Sequence, residues 1–166
     1  PDVISALFGG GEQMHRTAVL GIRLPRVLAA ILVGAVLAAS GAVMQCVLHN
    51  PLASASTLGV SQGAAFGAAV GLVVFGGGVV NSDSAATAIS INNPYIVTIC
   101  AFICGSLSTV VIIALSRFRK DLGPTGLILG GVALSSLFAG GLTLLQYFAD
   151  ETKISAIVFW TFGNLG

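Results

Sequence analysis

RLPRVLAAILVGAVLAASGAVMQCVL, residues 23–48, sets two arginines and a proline at the head of a run, 27–48, that has no Asp, Glu, Lys, Arg or His. A helix needs about 20 apolar residues to cross the hydrocarbon of a bilayer. The run therefore predicts a transmembrane helix with a cationic entrance. Working outward, three further runs have comparable length and character, at about 58–80, 95–115 and 125–149, and a fifth starts near 154 and stops short. The breaks between them, 49–57, 81–94, 116–124 and 150–153, hold proline, charge or small polar residues, the usual punctuation between elements. The expectation is an all-α, polytopic transmembrane bundle, with residues 1–166 forming a single transmembrane domain fragment.

Composition agrees. The chain is 55% hydrophobic and 8% charged, where a soluble domain carries about 25% charged residues. A net charge of +1 gives no footing for nucleic acid. Cys46, Cys100 and Cys104 all fall in apolar runs and form no disulfide framework. Cys100 and Cys104 stand four apart with no histidine or carboxylate near them, which reads as packing, and no metal site is expected. The chain opens on Pro1 without a methionine and stops at GNLG soon after IVFW. The expectation is a piece of a longer protein.

The spans contain no Asp, Glu, Lys, Arg or His. Ion-coupled pumps commonly place such groups within the membrane, so energy coupling is expected from elsewhere. No GxxxxGK[ST] phosphate loop occurs, so this chain is not read as the ATPase and no cofactor is expected on it. Small residues recur every four positions: Ala30, Gly34, Ala38 and Ala42; Gly63, Gly67 and Gly71; Gly126 and Gly130. Such ridges let helices approach closely in lipid, so Gly34, Ala38, Gly63, Gly67 and Gly71 are read as helix-packing positions. Gln45 and Gln146 need hydrogen-bond partners inside the spans; they either line a wet path or bond neighbouring helices. Alternation of the segments puts Arg16, Arg23, Arg26 and Lys153 on one side and Arg117, Arg119 and Lys120 on the other. The tight SRFRK cluster assigns the second side to the cytoplasm, leaving RLPR outside.

The stretch SGAVMQCVLHNPLASASTLGVSQGAAFG, residues 40–67, resembles the FecCD-type permeases of ABC importers for iron–siderophores, haem and vitamin B12. Those carry an R-L-P-R entrance, then G-A-x-L-A-x-S-G-x-x-x-Q, then N-P-L-A-x-P-x-x-L-G-x-x-x-G-A. The matching residues are Arg23 to Arg26, Gly34-Ala35, Leu37-Ala38, Ser40-Gly41, Gln45, Asn50 to Ala53, Leu58-Gly59 and Gly63-Ala64. LILGGVALSSLF and FWTFGNLG look like the family's fifth span and the start of its sixth. The resemblance runs from about Leu20 onward. One departure is clear: the second proline of the family's N-P-L-A-x-P is Ala55 here, so a residue that would fix φ in the turn is missing.

The resemblance implies a ten-span permease that works as a homodimer in a prokaryotic cytoplasmic membrane. Two cytoplasmic ATPase subunits carry ATP and Mg, and a substrate-binding protein docks outside. This chain matches spans two to five plus the start of six, the first of two inverted repeats. The family's vitamin B12 members set arginines matching Arg23 and Arg26 against glutamates of the binding protein, which implies docking charges here; interfacial snorkelling is the plainer alternative. Asn50, Pro51 and Leu52 match the family's cytoplasmic gate. Leu52 would supply an apolar constriction and Asn50 a hydrogen bond that holds the turn, the alternative being a simple interhelical loop. The fifth span would line the translocation path, with Ser135, Ser136, Thr143 and Gln146, together with Gln45, as candidates. Residues 150–155 resemble a short external helix near the outer gate.

The expected function is ATP-driven alternating-access import of an iron complex or cobalamin, with no covalent chemistry on the substrate, and so no enzyme. The alternatives are a small homo-oligomeric channel and a structural membrane subunit.

Overall fold

The computed structural model describes residues 13–76, 78–79, 90–91, 93–119 and 122–163. Lys120, much of the 81–94 break and the chain ends lie outside them. Two units are distinguished, with the division between Ala42 and Val43.

In the first unit the chain is helical from its first described residue. A short helix α1, Gln13–Arg16, passes into a π-helical turn, Thr17–Arg23, and then into α2, Leu24–Leu48. The π turn has a cause in the sequence. Pro25 has no N–H to donate and its ring crowds the carbonyl four residues back, so the coil just before it widens.

The second unit holds the end of α2 and four more helices: α3, Val60–Val73; α4, Pro94–Phe118; α5, Pro124–Phe148; and α6, Glu151–Phe162. Pro94 and Pro124 sit at helix starts, where a missing N–H costs nothing. A two-residue antiparallel ladder, β1 (Gly78–Val79) with β2 (Ser90–Ile91), lies between α3 and α4.

Among the described residues three helical stretches are long and apolar enough to cross a membrane: Thr17–Leu48, Pro94–Phe118 and Pro124–Phe148. The run expected as a span over 58–80 is instead a helix of 14 residues. It rises about 21 Å, against about 37 Å for the 25-residue α4 and α5. Glycine sets both of its limits. Gly59 is in the left-handed region at φ +80°, and Gly76 is there again at φ +65° just past the C-terminus. At the far end, the short external helix and the cut-off span expected separately after Ala149 form one helix, α6.

The core of this unit joins α3, α4 and α6. Ala68, Ala69 and Leu72 pack with Val97, Ala101, Ala156 and Ile157, and Leu142, Leu145 and Trp160 flank them. Contact between α3 and α4 runs through the glycine ridge. A Cβ on Gly67 would collide with the Cys100 carbonyl oxygen and lie 2.8 Å from Cys104 Cβ; one on Gly63 would lie 2.9 Å from the Cys104 carbonyl oxygen, and one on Gly71 3.0 Å from Val97 Cα. Cys100 and Cys104 are thus the groove into which the ridge fits. The Phe66 ring covers Gly141 of α5 and stacks, tilted, on Phe138 at 5.7 Å.

The other ridges behave differently. Gly34 and Ala38 lie on an exposed surface of α2, and a Cβ on Gly34 meets nothing within 4 Å. Gly126 faces the Leu122 side chain and Gly130 faces that of Leu115. The close backbone approach on α5 belongs to Gly131, one residue further on.

Candidate functional site

The segment between α2 and α3 is built from a helix ending that the sequence specifies with care. His49 stands at φ +47°, the one described non-glycine residue with positive φ. The His49 N–H donates to the Cys46 carbonyl at 3.4 Å and the Asn50 N–H to the Gln45 carbonyl at 3.2 Å. That pair of bonds is a Schellman ending, which normally places glycine where His49 stands. Pro51 follows and cannot continue the helix. The Gln45 amide donates to the Pro51 carbonyl at 2.8 Å. Gln45 thus ties its helix to the turn that follows it.

The turn then closes on itself. Asn50 Oδ1 accepts from the Leu52 N–H at 2.9 Å, and the Ala53 N–H donates to the Asn50 carbonyl at 3.1 Å. The Ser54 N–H donates to Thr57 Oγ1 at 3.0 Å, Thr57 Oγ1 donates to the Ser54 carbonyl at 2.7 Å, and the Ser54 and Ser56 hydroxyls share a bond of 2.7 Å. These bonds constrain the backbone around Ala55, where the family's pattern has a proline. The turn is densely self-bonded. Ala53 is buried, whereas Leu52 at its tip is 82% exposed.

The base of the turn is set into α4 and α5. The Ser108 hydroxyl, fully buried, donates to the Leu58 carbonyl at 2.9 Å. A Cβ on Gly59 would lie 3.1 Å from Ser108 Oγ, 3.2 Å from the Gly131 carbonyl oxygen and 3.3 Å from the Ser135 nitrogen. A Cβ on Gly131 would collide with the Thr57 carbonyl oxygen and come within 2.7 Å of Leu58 Cα. The turn therefore rests on the Ser108 side chain of α4 and directly on the backbone of α5. Sequence reasoning passes over Ser108 and Gly131. Nothing in an apolar run separates Ser108 from Ser106, and the four-residue ridge points to Gly130. The Leu58-Gly59 motif was the available signal.

An apolar groove of about 420 Å³ opens beside this turn, lined by Leu48, Leu58, Ile112, Ile113, Leu127 and others, with Arg117 at its edge. The turn and the arginine end of α4 thus share one end of the unit. At the opposite end, Lys153 Nζ donates to the Val73 carbonyl at 3.4 Å, at the C-terminus of α3, and pairs with Asp150 at 3.8 Å. A lysine there meets unsatisfied carbonyls and the negative end of the helix dipole.

The candidates on α5 do not form one cluster. The hydroxyls of Ser135, Ser136 and Thr143 donate to carbonyls four residues back in their own helix, those of Gly131, Val132 and Ala139. Ser135 is half-buried at the base of the turn, Gln146 is half-buried, and Ser136 and Thr143 are exposed. Thr143 and Gln146 lie about 12 and 16 Å from Ser135 along the helix axis. In the first unit Arg23 and Arg26 are both exposed, three residues apart across the join of the π turn and α2.

Comparison with known proteins gives consistent matches. The FecCD transport family matches residues 1–166. A protein of Methanocaldococcus jannaschii described as an ABC transporter permease, MJ0087, is 49% identical over 164 residues, covering 99% of this chain and 46% of that protein. The vitamin B12 import system permease protein BtuC of Escherichia coli is 37% identical over 146 residues, 87% of this chain and 40% of BtuC. A solved structure described as a metal-chelate type ABC transporter in an inward-facing conformation superposes with a TM-score of 0.74 at 32% identity, covering 98% of this chain and 50% of that one. The chain spans about half the length of the curated relatives it matches.

Proposed function

The chain belongs to the FecCD transport family, and from that premise we propose that it is part of the permease subunit of a binding-protein-dependent ABC importer. It sits in a prokaryotic cytoplasmic membrane as a multi-pass segment and works with a second permease copy. Two cytoplasmic ATPase subunits bind ATP and Mg and hydrolyse the nucleotide; the permease alters no bond in its cargo. The cargo is a metal chelate or corrinoid: an iron–siderophore, haem or cobalamin. Relatives described as a vitamin B12 permease and a metal-chelate type transporter support that class.

One observation carries the transport mechanism. A 14-residue helix, introduced by a non-helical turn, lies among spans of 25 residues. Broken and shortened helices in transporters are the usual pointer to the substrate path. In this reading the turn 49–59 is a cytoplasmic gate. Leu52 is its apolar tip, Asn50 holds the tip by its bond to the Leu52 N–H, and Pro51 ends the preceding helix. Ser135, at the base of the turn, faces the path near the gate, and Ser136, Thr143 and Gln146 continue along α5. Alternating access opens this gate while the outer end closes, driven by ATP on the partner subunits.

Arg23 and Arg26 dock the binding protein on the outer side. The test is charge reversal, Arg23→Glu with Arg26→Glu, in the full-length permease with its ATPase in vesicles. Binding-protein affinity and ATPase stimulation are read at low and high salt. The expected loss of affinity is at least about tenfold at low salt and smaller at high salt, since opposed charges steer and orient the encounter. Unchanged affinity and stimulation would remove the docking role and leave RLPR as an interfacial anchor.

A further inference from the structure

The geometry points to Ser108 as a positioning residue that, with Gly59 and Gly131, clamps the turn 49–59 to α4 and α5, so that turn and helices move as one body. The inference rests on the gate reading of that turn.

Three observations carry it. First, Ser108 is the one buried polar residue among the described residues, and its hydroxyl spends its donor on the turn: the bond runs to the Leu58 carbonyl, 50 residues away in sequence, at 2.9 Å. The other span hydroxyls on α4 and α5 whose bonds are described, those of Thr98, Thr109, Ser135, Ser136 and Thr143, donate within their own helix. Second, Gly59 fills a notch walled by atoms of both helices, Ser108 Oγ, the Gly131 carbonyl oxygen and the Ser135 nitrogen, which leave a Cβ little room, at a φ that disfavours one. Third, Gly131 lets the Thr57–Leu58 backbone lie directly on α5, where any Cβ would strike the Thr57 carbonyl oxygen.

The consequence is mechanical. The turn is joined to α2 through Gln45 and the Schellman bonds, and to α4 and α5 through the clamp. Its tip, Leu52, has no buried surroundings of its own and takes its position from this base. A displacement of α4 and α5 is therefore passed to Leu52 without first being absorbed in the loop. Ser108 does this without facing the cargo.

The test uses the full-length permease assembled with its ATPase in nanodiscs. Hydrogen exchange is followed across residues 52–59, and substrate uptake per ATP hydrolysed is measured on the same variants in vesicles. Ser108→Ala removes the bond at little cost in volume; Gly131→Ala lifts the turn from the other side; Ser106→Ala, one residue pair away on the same helix, is the control. Ser108→Ala and Gly131→Ala are expected to speed exchange at Ser54, Thr57 and Gly59 by roughly five- to tenfold, the effect of losing one net hydrogen bond from a local opening. Exchange across 52–59 in Ser106→Ala stays at the wild-type rate, and uptake per ATP falls in the two clamp variants. Unchanged exchange in both clamp variants overturns the clamp, whatever uptake does. Faster exchange with unchanged uptake per ATP leaves the clamp standing and overturns the gate reading beneath it.

Discussion

Glycines that look alike in the sequence do unlike work. Gly131 and Gly140 both lie inside α5. A Cβ on the first would strike the Thr57 carbonyl oxygen; one on the second meets nothing within 4 Å. Gly131→Ala should therefore destabilise by about 1–3 kcal/mol, the range for overpacking a closed site. Gly140→Ala should be neutral or stabilise by up to about 1 kcal/mol, the helix preference of alanine over glycine. Thermal unfolding of the two variants in one detergent checks both, and equal effects would contradict the close seating of the turn. His49 offers the opposite case, a side chain where glycine is the easier residue. Its φ of +47° puts a Cβ in a region that costs roughly 1–2 kcal/mol for a residue with a side chain. His49→Gly should hold or raise the melting temperature, and β-branched His49→Val should lower it. A lower melting temperature for His49→Gly than for the wild type would show that the imidazole makes a compensating contact.

At the level of helices, α3 is short because glycine bounds it and tightly packed because glycine lines it. Burial of apolar surface gives no preference for a neighbouring helix over lipid, so close van der Waals fit must hold such a helix in place. The ridge Gly63, Gly67 and Gly71 supplies that fit against the Cys100 and Cys104 turns of α4. Gly67→Ala should loosen the α3–α4 contact and lower the melting temperature by several degrees, as about 1–3 kcal/mol would in a domain of this size. Gly34→Ala, made inside α2 where a Cβ meets nothing within 4 Å, should hold or raise it, by up to about 1 kcal/mol of helix preference. An equal drop for the two would deny the ridge its role. The ion pair at the head of α6 should matter less. Lys153 and Asp150 are 3.8 Å apart with Asp150 79% exposed, and such pairs contribute little.

Across the second unit, the helices order the charged groups into two ends. Arg117 shares one end with the turn through the groove that Leu48, Leu58 and Leu127 line, and Lys153 caps α3 at the other. Exposed Tyr147 and Phe148 at the end of α5, Tyr95 at the start of α4 and Phe75 past the end of α3 lie at the second end, as aromatic residues do at a membrane–water interface. Cysteines introduced at Gly123 and at Asp150, in a full-length permease with its own cysteines replaced, should react with a membrane-impermeant maleimide from opposite faces of the vesicle. Gly123→Cys should label from the cytoplasmic face. Labelling of both from one face would break the alternation of α4 and α5 across the bilayer.

How much of this was legible beforehand follows from where each signal resides. Apolar length is a local property, so the spans at 27–48, 95–115 and 125–149 could be read from composition and found as helices. The family's motifs are also local strings, and they pointed to Asn50, Pro51, Leu52 and Gly59 before any contact was known. The shortening of α3 was not read: the apolar run continues through the glycines after Phe75 as a span would, and the left-handed residue at Gly59 needed a backbone. Ser108, Gly131 and the bond from Gln45 to Pro51 were not legible at all. A serine in an apolar helix carries no mark of the carbonyl it meets 50 residues away. Nor does a glycine show whether its missing Cβ leaves room for a partner or for nothing. Those meanings are properties of pairs of surfaces, and they exist only once α3, α4 and α5 are packed.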